Sequence, residues 1–160
     1  MAGPPRLRGG NSTCRSTVGL GMEPIYTATA HATGDGRNGH VASDDGFVDF
    51  DLRIPKEMGG SGGATNPEEL FAAGYAACFH SALKLVAGQQ KLDVEGTQVS
   101  ASIGIGPLDT GGFGLKADLV VYAPKLDHAT AQSLVEAAHQ VCPYSNATRG
   151  NIEVGLSVVE

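Results

Sequence analysis

The chain has 160 residues, 41% of them hydrophobic, which suits one domain with a normal core. A net charge of -6 without any basic stripe argues against a nucleic-acid partner, since phosphate binding depends on clustered Lys and Arg. The longest nearly uncharged run, Leu70 to Ala82, contains Gly74 and His80 and falls short of the ~20 apolar residues of a spanning helix, so no membrane segment is expected.

Residues 1–21 stand apart from the rest. They hold Arg6, Arg8 and Arg15, no acids and little hydrophobic periodicity, which predicts a disordered extension and leaves a single domain over 22–160. An Arg-rich, acid-free leader can mimic a transit peptide, while Met22 stands where such a domain would naturally begin. Cys14, in this extension, is expected to be a bystander.

Beyond it, alternation predicts strands. Ile25 to Thr33 is a weak candidate; Val48, Phe50, Leu52 and Ile54 alternate with Asp49, Asp51 and Arg53. Asn66 then reads as an N-cap, with Pro67 at the first helical position and Glu68 and Glu69 where carboxylates meet the positive helix end. This helix should run to about Ala87 and end at Gly88. Apolar residues from Phe71 to Val86 cover much of its circumference, which predicts burial on more than one side.

Two further alternating runs follow, Val99 to Ile105 and Phe113 to Val121, and Ile152, Val154, Leu156 and Val158 close the chain. The links Asp44-Asp45-Gly46 and Asp109-Thr110-Gly111-Gly112 read as hairpin turns, so the sheets should be largely antiparallel. A second helix should start near Asp127, bury Ala131, Leu134, Val135, Ala138 and Val141, and be disrupted by Pro143 next to Cys142. Strand groups separated by a buried helix make the fold α+β.

Cys78 lies within that first helix and Cys142 heads the turn Cys142-Pro143-Tyr144-Ser145-Asn146. Neither has the closely spaced partner of a zinc ligand, so no metal is expected, and what remains is thiol chemistry or inert burial. On periodicity alone, Cys78 reads equally as a small core residue. The flanks are more specific. The stretch Thr65-Asn66-Pro67-Glu68-Glu69-Leu70-Phe71-Ala72-Ala73-Gly74-Tyr75-Ala76-Ala77-Cys78-Phe79 resembles the first cysteine motif of the organic hydroperoxide resistance (Ohr) proteins. The stretch Cys142-Pro143-Tyr144-Ser145-Asn146-Ala147-Thr148-Arg149-Gly150-Asn151-Ile152 resembles their second, and the likeness extends roughly from Met22 to Glu160.

The resemblance implies an OsmC-like fold with antiparallel sheets around a long buried central helix, in an intertwined homodimer. It implies a cytoplasmic, cysteine-based peroxidase with Cys78 as peroxidatic thiolate, Cys142 as resolving thiol, Arg37 as active-site arginine and Glu68 as its holder. No bound cofactor is implied, only an external dithiol, with dihydrolipoyl groups on a carrier protein as the reductant. Physical chemistry makes the same demand for a cation, because a buried thiol near pKa ~8.5 is mostly protonated at neutral pH. Arg37, in the loop Gly34-Asp35-Gly36-Arg37-Asn38-Gly39, keeps its charge when buried, and Glu68 can pair with it. Phe71, Tyr75 and Phe79 are the candidate pocket for an alkyl or lipid-type hydroperoxide. A peroxidase of the wider osmotically induced (OsmC) branch, or a non-catalytic redox-sensing dimer, is the alternative.

Other motifs are weaker. Gly59-Gly60-Ser61-Gly62-Gly63 lacks the Gly-Lys-Ser/Thr ending of a phosphate cradle. His139 sits one helical turn before Cys142 and could pair with it; His80 faces away from Cys78, and Ser145 lacks a hydrolase elbow. Glu68 and Cys78 lie ten residues apart on one helix, a separation of about 15 Å at ~1.5 Å per residue. One Arg37 cannot easily serve both within a chain, which predicts a two-fold dimer in which Cys78 and Cys142 of one chain meet Arg37 and Glu68 of the other.

Overall fold

The computed structural model describes residues 21–159. The expectations for the N-terminal extension and Cys14 lie outside them. In chain order the elements are β1 (Ala30–Thr33), β2 (His40–Ser43), β3 (Asp49–Asp51), α1 (Pro67–Gln90), β4 (Gln98–Pro107), β5 (Phe113–Tyr122), α2 (His128–Val141), α3 (Pro143–Thr148) and β6 (Glu153–Val159). They form two three-stranded sheets, β1-β2-β3 and β4-β5-β6, with the long α1 between them in sequence. The α+β fold is as expected.

The second sheet builds the core. Val99, Ala101, Ile103 and Ile105 on β4 point toward the helices while Ser100, Ser102 and Gly104 point away, and Ala117, Leu119 and Val121 of β5 are completely buried. Tyr75, Phe79 and Leu83 of α1 and Ala131, Leu134, Val135 and Ala138 of α2 close over them. Three strand pairings are antiparallel, but β5 and β6 run parallel, Lys116 to Tyr122 against Glu153 to Val159. The reason is the helical crossover: α2 and α3 carry the chain back before β6 begins. Val141, expected on the buried stripe of α2, is exposed because Cys142 turns the chain there.

Helix α1 starts as its sequence demands. The Asn66 side chain accepts the Glu69 N–H at 2.9 Å, and Thr65 donates to the Glu69 carboxylate at 2.8 Å. It passes through Gly88 instead of ending there and stops at Lys91, whose left-handed φ of 57° lets the Leu92 N–H reach the Ala87 carbonyl. Leu92 packs back on the core, and that contact sets the end. By length and composition α1, with mean hydropathy 1.4, could cross a membrane; Tyr75, Phe79, Leu83 and Val86 instead fill the domain core. Its Ala73, Ala77 and Ser81 edge is open to solvent in one chain.

The first sheet is different. Strand β2 is unforeseen in the sequence, and only the last four residues of Ile25–Thr33 pair, while β3 keeps three residues of its run. Register puts His31, His40, Asp49 and Asp51 on one face and Ala32, Val41 and Phe50 on the other. His40 bonds Asp49 and Asp51 at 3.0 Å each, so both ring nitrogens meet carboxylates, and its pKa is raised, first by the bond to Asp51. The apolar face finds little to cover it: Phe50 is exposed and Phe47, in the adjoining turn, is 89% exposed. The alternation falls on a real strand, and of its apolar side Leu52 is buried, Val48 and Ile54 are half-buried and Phe50 stays exposed.

Candidate active site

The two motif cysteines meet. Cys142 is completely buried, Cys78 is half-buried, and their sulfurs lie 3.7 Å apart. Each is placed by local chemistry. Pro143 at the first position of α3 forces Cys142 into an extended conformation (ψ 124°), so two helices meet at the thiol with an angular break. Cys142 still donates its N–H to Ala138 at 2.9 Å, and its carbonyl accepts from Asn146 at 2.9 Å. Burial pushes the Cys78 thiol up; the Tyr144 N–H draws it part of the way back, and the neighbouring Cys142 adds to the rise.

Arg37 and Glu68 form the second half of the site. The guanidinium donates two parallel bonds to the carboxylate, Nη1 to Oε2 and Nη2 to Oε1, both 2.7 Å. Glu68 occupies the second position of α1, and Arg37 sits in a 3₁₀ turn, Gly36–Asn38, immediately before β2. That turn closes tightly: a Cβ on Gly39 would fall 2.1 Å from the Thr33 carbonyl oxygen, so only glycine fits. The bond to Arg37 holds the Glu68 carboxyl below its usual range, against burial, and raises Arg37 in turn. Beside Glu68 opens a groove of about 520 Å³ lined by Pro55, Met58, Ala72, Ile103 and Ile105.

Within one chain the two halves remain separate. Cys78 is governed by burial, by the Tyr144 N–H and by Cys142, and among the described residues no cation contributes to its shift. Arg149, the arginine of the second cysteine motif, donates to Asn146 at 2.8 Å and to the His139 carbonyl at 2.7 Å.

The remaining expected residues take clear places. Tyr75 and Phe79 are core side chains without exposed surface, whereas Phe71 is half-buried and stacks edge-on against Tyr75. His139 bonds Ser145 at 2.8 Å, and His80 bonds Thr97 at 3.0 Å. The glycine run at 59–63 is folded back, with Gly60 and Gly62 N–H groups already donated to Pro55 and Ile54, which removes the donors a phosphate would need. Among the described residues no cluster of three or more His, Cys, Asp or Glu is arranged to hold a metal.

A family model described as OsmC-like protein matches residues 60–157. The organic hydroperoxide resistance protein of Xanthomonas axonopodis pv. citri is 54% identical over 136 residues, 84% of this chain and 94% of that protein. The chain belongs to the OsmC family, in its organic hydroperoxide resistance branch. OhrB of Bacillus subtilis is 47% identical over 137 residues, 84% of this chain and 98% of its own length. The crystal structure of the organic hydroperoxide resistance protein from Elizabethkingia anophelis, with thiocyanate bound, superposes with a TM-score of 0.82 at 54% identity, covering 87% of this chain and 99% of that one.

Set against the Ohr motifs, the structure adds residues to which sequence reasoning gave no role. Tyr144 supplies the N–H at Cys78, and its ring packs within 5.9 Å of Phe71 and 5.7 Å of Tyr75. Gly74 makes room for it, since a Cβ there would come within 3.0 Å of the Tyr144 hydroxyl. The signal was present in the Cys-Pro-Tyr run and in a glycine at mid-helix, where glycine is costly and needs a packing reason.

Proposed function

We propose that this protein is a thiol-dependent peroxidase that reduces organic hydroperoxides to alcohols. The observation that carries the reading is the 3.7 Å approach of two free thiols, one half-exposed and one buried behind it. The Cys78 thiolate attacks the hydroperoxide oxygen, the O–O bond breaks, and the alkoxide leaves as the alcohol after taking a proton. Sulfur is oxidised to the sulfenic acid. Cys142 then displaces the hydroxyl: an S–S bond forms, the S–O bond breaks, and water leaves with the Cys142 proton. An external dithiol restores both thiols, and a dihydrolipoyl group on a carrier protein suits this step. Such a cycle fits a reducing, cytoplasmic setting.

The working unit of this reading is a homodimer. Support comes from two unsatisfied features of a single chain: the bare apolar face of the first sheet, and a Cys78 without a cation. A second copy would cover the first and supply its Arg37, held by Glu68, to the second. The apolar tail of the substrate would lie against Phe71 and Tyr144, whose rings keep exposed surface, so alkyl and lipid hydroperoxides would be preferred over hydrogen peroxide. Hydroperoxide consumption under a steady dithiol supply tests the reading. Rapid loss of an alkyl hydroperoxide with slower loss of hydrogen peroxide is expected; a protein that oxidises once and never turns over would instead be a sensor.

A further inference from the structure

Behind the thiols lies a set of buried hydroxyls that the chemistry above does not use. The Tyr75 hydroxyl is 3.0 Å from Ser145 Oγ and 3.2 Å from Thr148 Oγ1; Thr148 also donates to the Ser145 carbonyl at 3.2 Å, and His139 Nδ1 meets Ser145 Oγ at 2.8 Å. Tyr75 and Ser145 are completely buried and Thr148 nearly so. Burying three hydroxyls costs free energy unless each is paired, and an apolar contact would hold the helices without that demand. What the hydroxyls add is direction.

Their positions in the chain say what is being directed. Tyr75 lies three residues before Cys78, on the same face of α1, and Ser145 lies three residues after Cys142. The network is therefore a second bridge between the two segments that carry the thiols, one helical turn from the sulfur contact. Resolution requires the sulfurs to close from 3.7 Å to bonding distance, ~2.05 Å, once Cys78 carries an oxygen on the side away from Cys142. A helix of only six residues after the bend at Cys142 is otherwise held by the Tyr144 ring against Phe71 and Tyr75 and by Arg149 on the His139 carbonyl, and the hydroxyls fix its register at the level of the thiols.

We propose that the Tyr75, Ser145 and Thr148 hydroxyls are positioning groups for resolution: they hold α3 against α1, so that Cys142 attacks the oxidised Cys78 before a second hydroperoxide does. This rests on the thiol chemistry proposed above. The step itself is the one already balanced, with Cys142 sulfur oxidised, sulfenic sulfur reduced and water released. If the network is loosened, the competing reaction gains: a second hydroperoxide takes Cys78 to the sulfinic acid and leaves as alcohol.

Tyr75→Phe is the cleanest variant, because Ser145 keeps His139 and Thr148 keeps the Ser145 carbonyl, so no buried hydroxyl is orphaned. The readout is the ratio of disulfide closure to Cys78 oxidation in single-turnover mixing, with the products weighed by mass spectrometry. The ratio should fall about tenfold in Tyr75→Phe. Sulfinic Cys78 should accumulate at excess hydroperoxide, and Thr148→Val should follow while Thr148→Ser stays near wild type. A second arm uses dithiobis(nitrobenzoate), which forms a mixed disulfide at Cys78; the second release of nitrobenzoate thiolate then reports attack by Cys142 without any hydroperoxide. A wild-type ratio in both Tyr75→Phe and Thr148→Val, or parallel slowing of both steps, overturns the proposal. If wild-type Cys78 ignores hydroperoxides yet releases the second thiolate, the peroxidase reading fails, and the second-release rates of the variants still decide the network.

Discussion

The second sheet with its helices and the first sheet with its arginine loop are built by different rules. Around β5 every layer is covered: Ala117, Leu119 and Val121 meet α1 and α2, and the thiol pair sits at the edge of that core. Around β2 no second layer is formed by the described residues, and the sheet meets them through the Leu52–Thr65 bridge and the Arg37–Glu68 fork. One region folds on its own contacts. The other leaves the apolar side chains of Phe47 and Phe50 exposed among the described residues. The thiols therefore belong to the covered region and Arg37 to the less covered one; on the dimer proposed above, reactivity then depends on assembly rather than on the single fold.

The largest effects should come from the self-contained half. Cys78→Ser will abolish turnover, whereas Cys142→Ser will permit one oxidation and then stall at the sulfenic acid or beyond. Mass spectrometry after a single addition of hydroperoxide separates the two. Equal inertness of both variants would reverse or dissolve the assigned order.

Next comes the dependent half. Arg37→Ala should slow Cys78 oxidation by about a hundredfold and raise the pH at which the thiol becomes reactive, because burial then acts on Cys78 unopposed by any cation. Alkylation rates across pH measure this directly. An unchanged thiol titration would leave the Tyr144 N–H as the sole support of the thiolate.

Mixing sharpens the contrast further. Cys78→Ser and Arg37→Ala subunits, each inactive alone, should regain up to half of the wild-type sites when exchanged, because one heterodimer interface then holds an intact thiol pair opposite an intact arginine. Absence of recovery with exchange demonstrated by native mass spectrometry would place all four residues in one chain's site.

How far these regions were legible follows the same division. Where packing is local, the pattern suffices: Asn66 caps, Pro67 starts and Asp127 caps the next helix, and the alternation over β4 and β5 falls on real strands. Where a distant contact decides, it does not. Gly88 looked like a helix end, but Leu92 returning to the core moved it; β6 looked antiparallel until α2 and α3 were seen to carry the chain across. Phe50 falls on the apolar side of the expected strand yet stays exposed, because alternation reports the polarity of a face and not whether anything covers it. The Arg37–Glu68 pair was expected chiefly from the Ohr resemblance, with charge and position permitting it, whereas the Tyr75 hydroxyl, 70 or more residues from Ser145 and Thr148, carries no periodic signal toward them.

The smallest effect concerns pH, and it separates the regions by sign. Glu68 is held below its usual range by Arg37, so the unfolded state binds the proton more readily than the folded one. Its stabilisation is complete above the unfolded value of about 4.3 and is lost as pH falls through the lower folded value. Arg37 remains charged throughout, so the acid limb belongs to the carboxylate. Glu68→Gln should lower the thermal midpoint by about 3 °C at neutral pH, and the gap to wild type should close below pH ~4. The thiol carries the opposite sign. A raised Cys78 favours the folded state below its unfolded pKa of about 8.5 and loses that contribution as pH rises, unless an arginine across the interface compensates. Thermal scans of Arg37→Ala should therefore show an alkaline loss that Cys78→Ser removes. Its presence already in the wild type would mean that no cation reaches the thiol in the assembled protein.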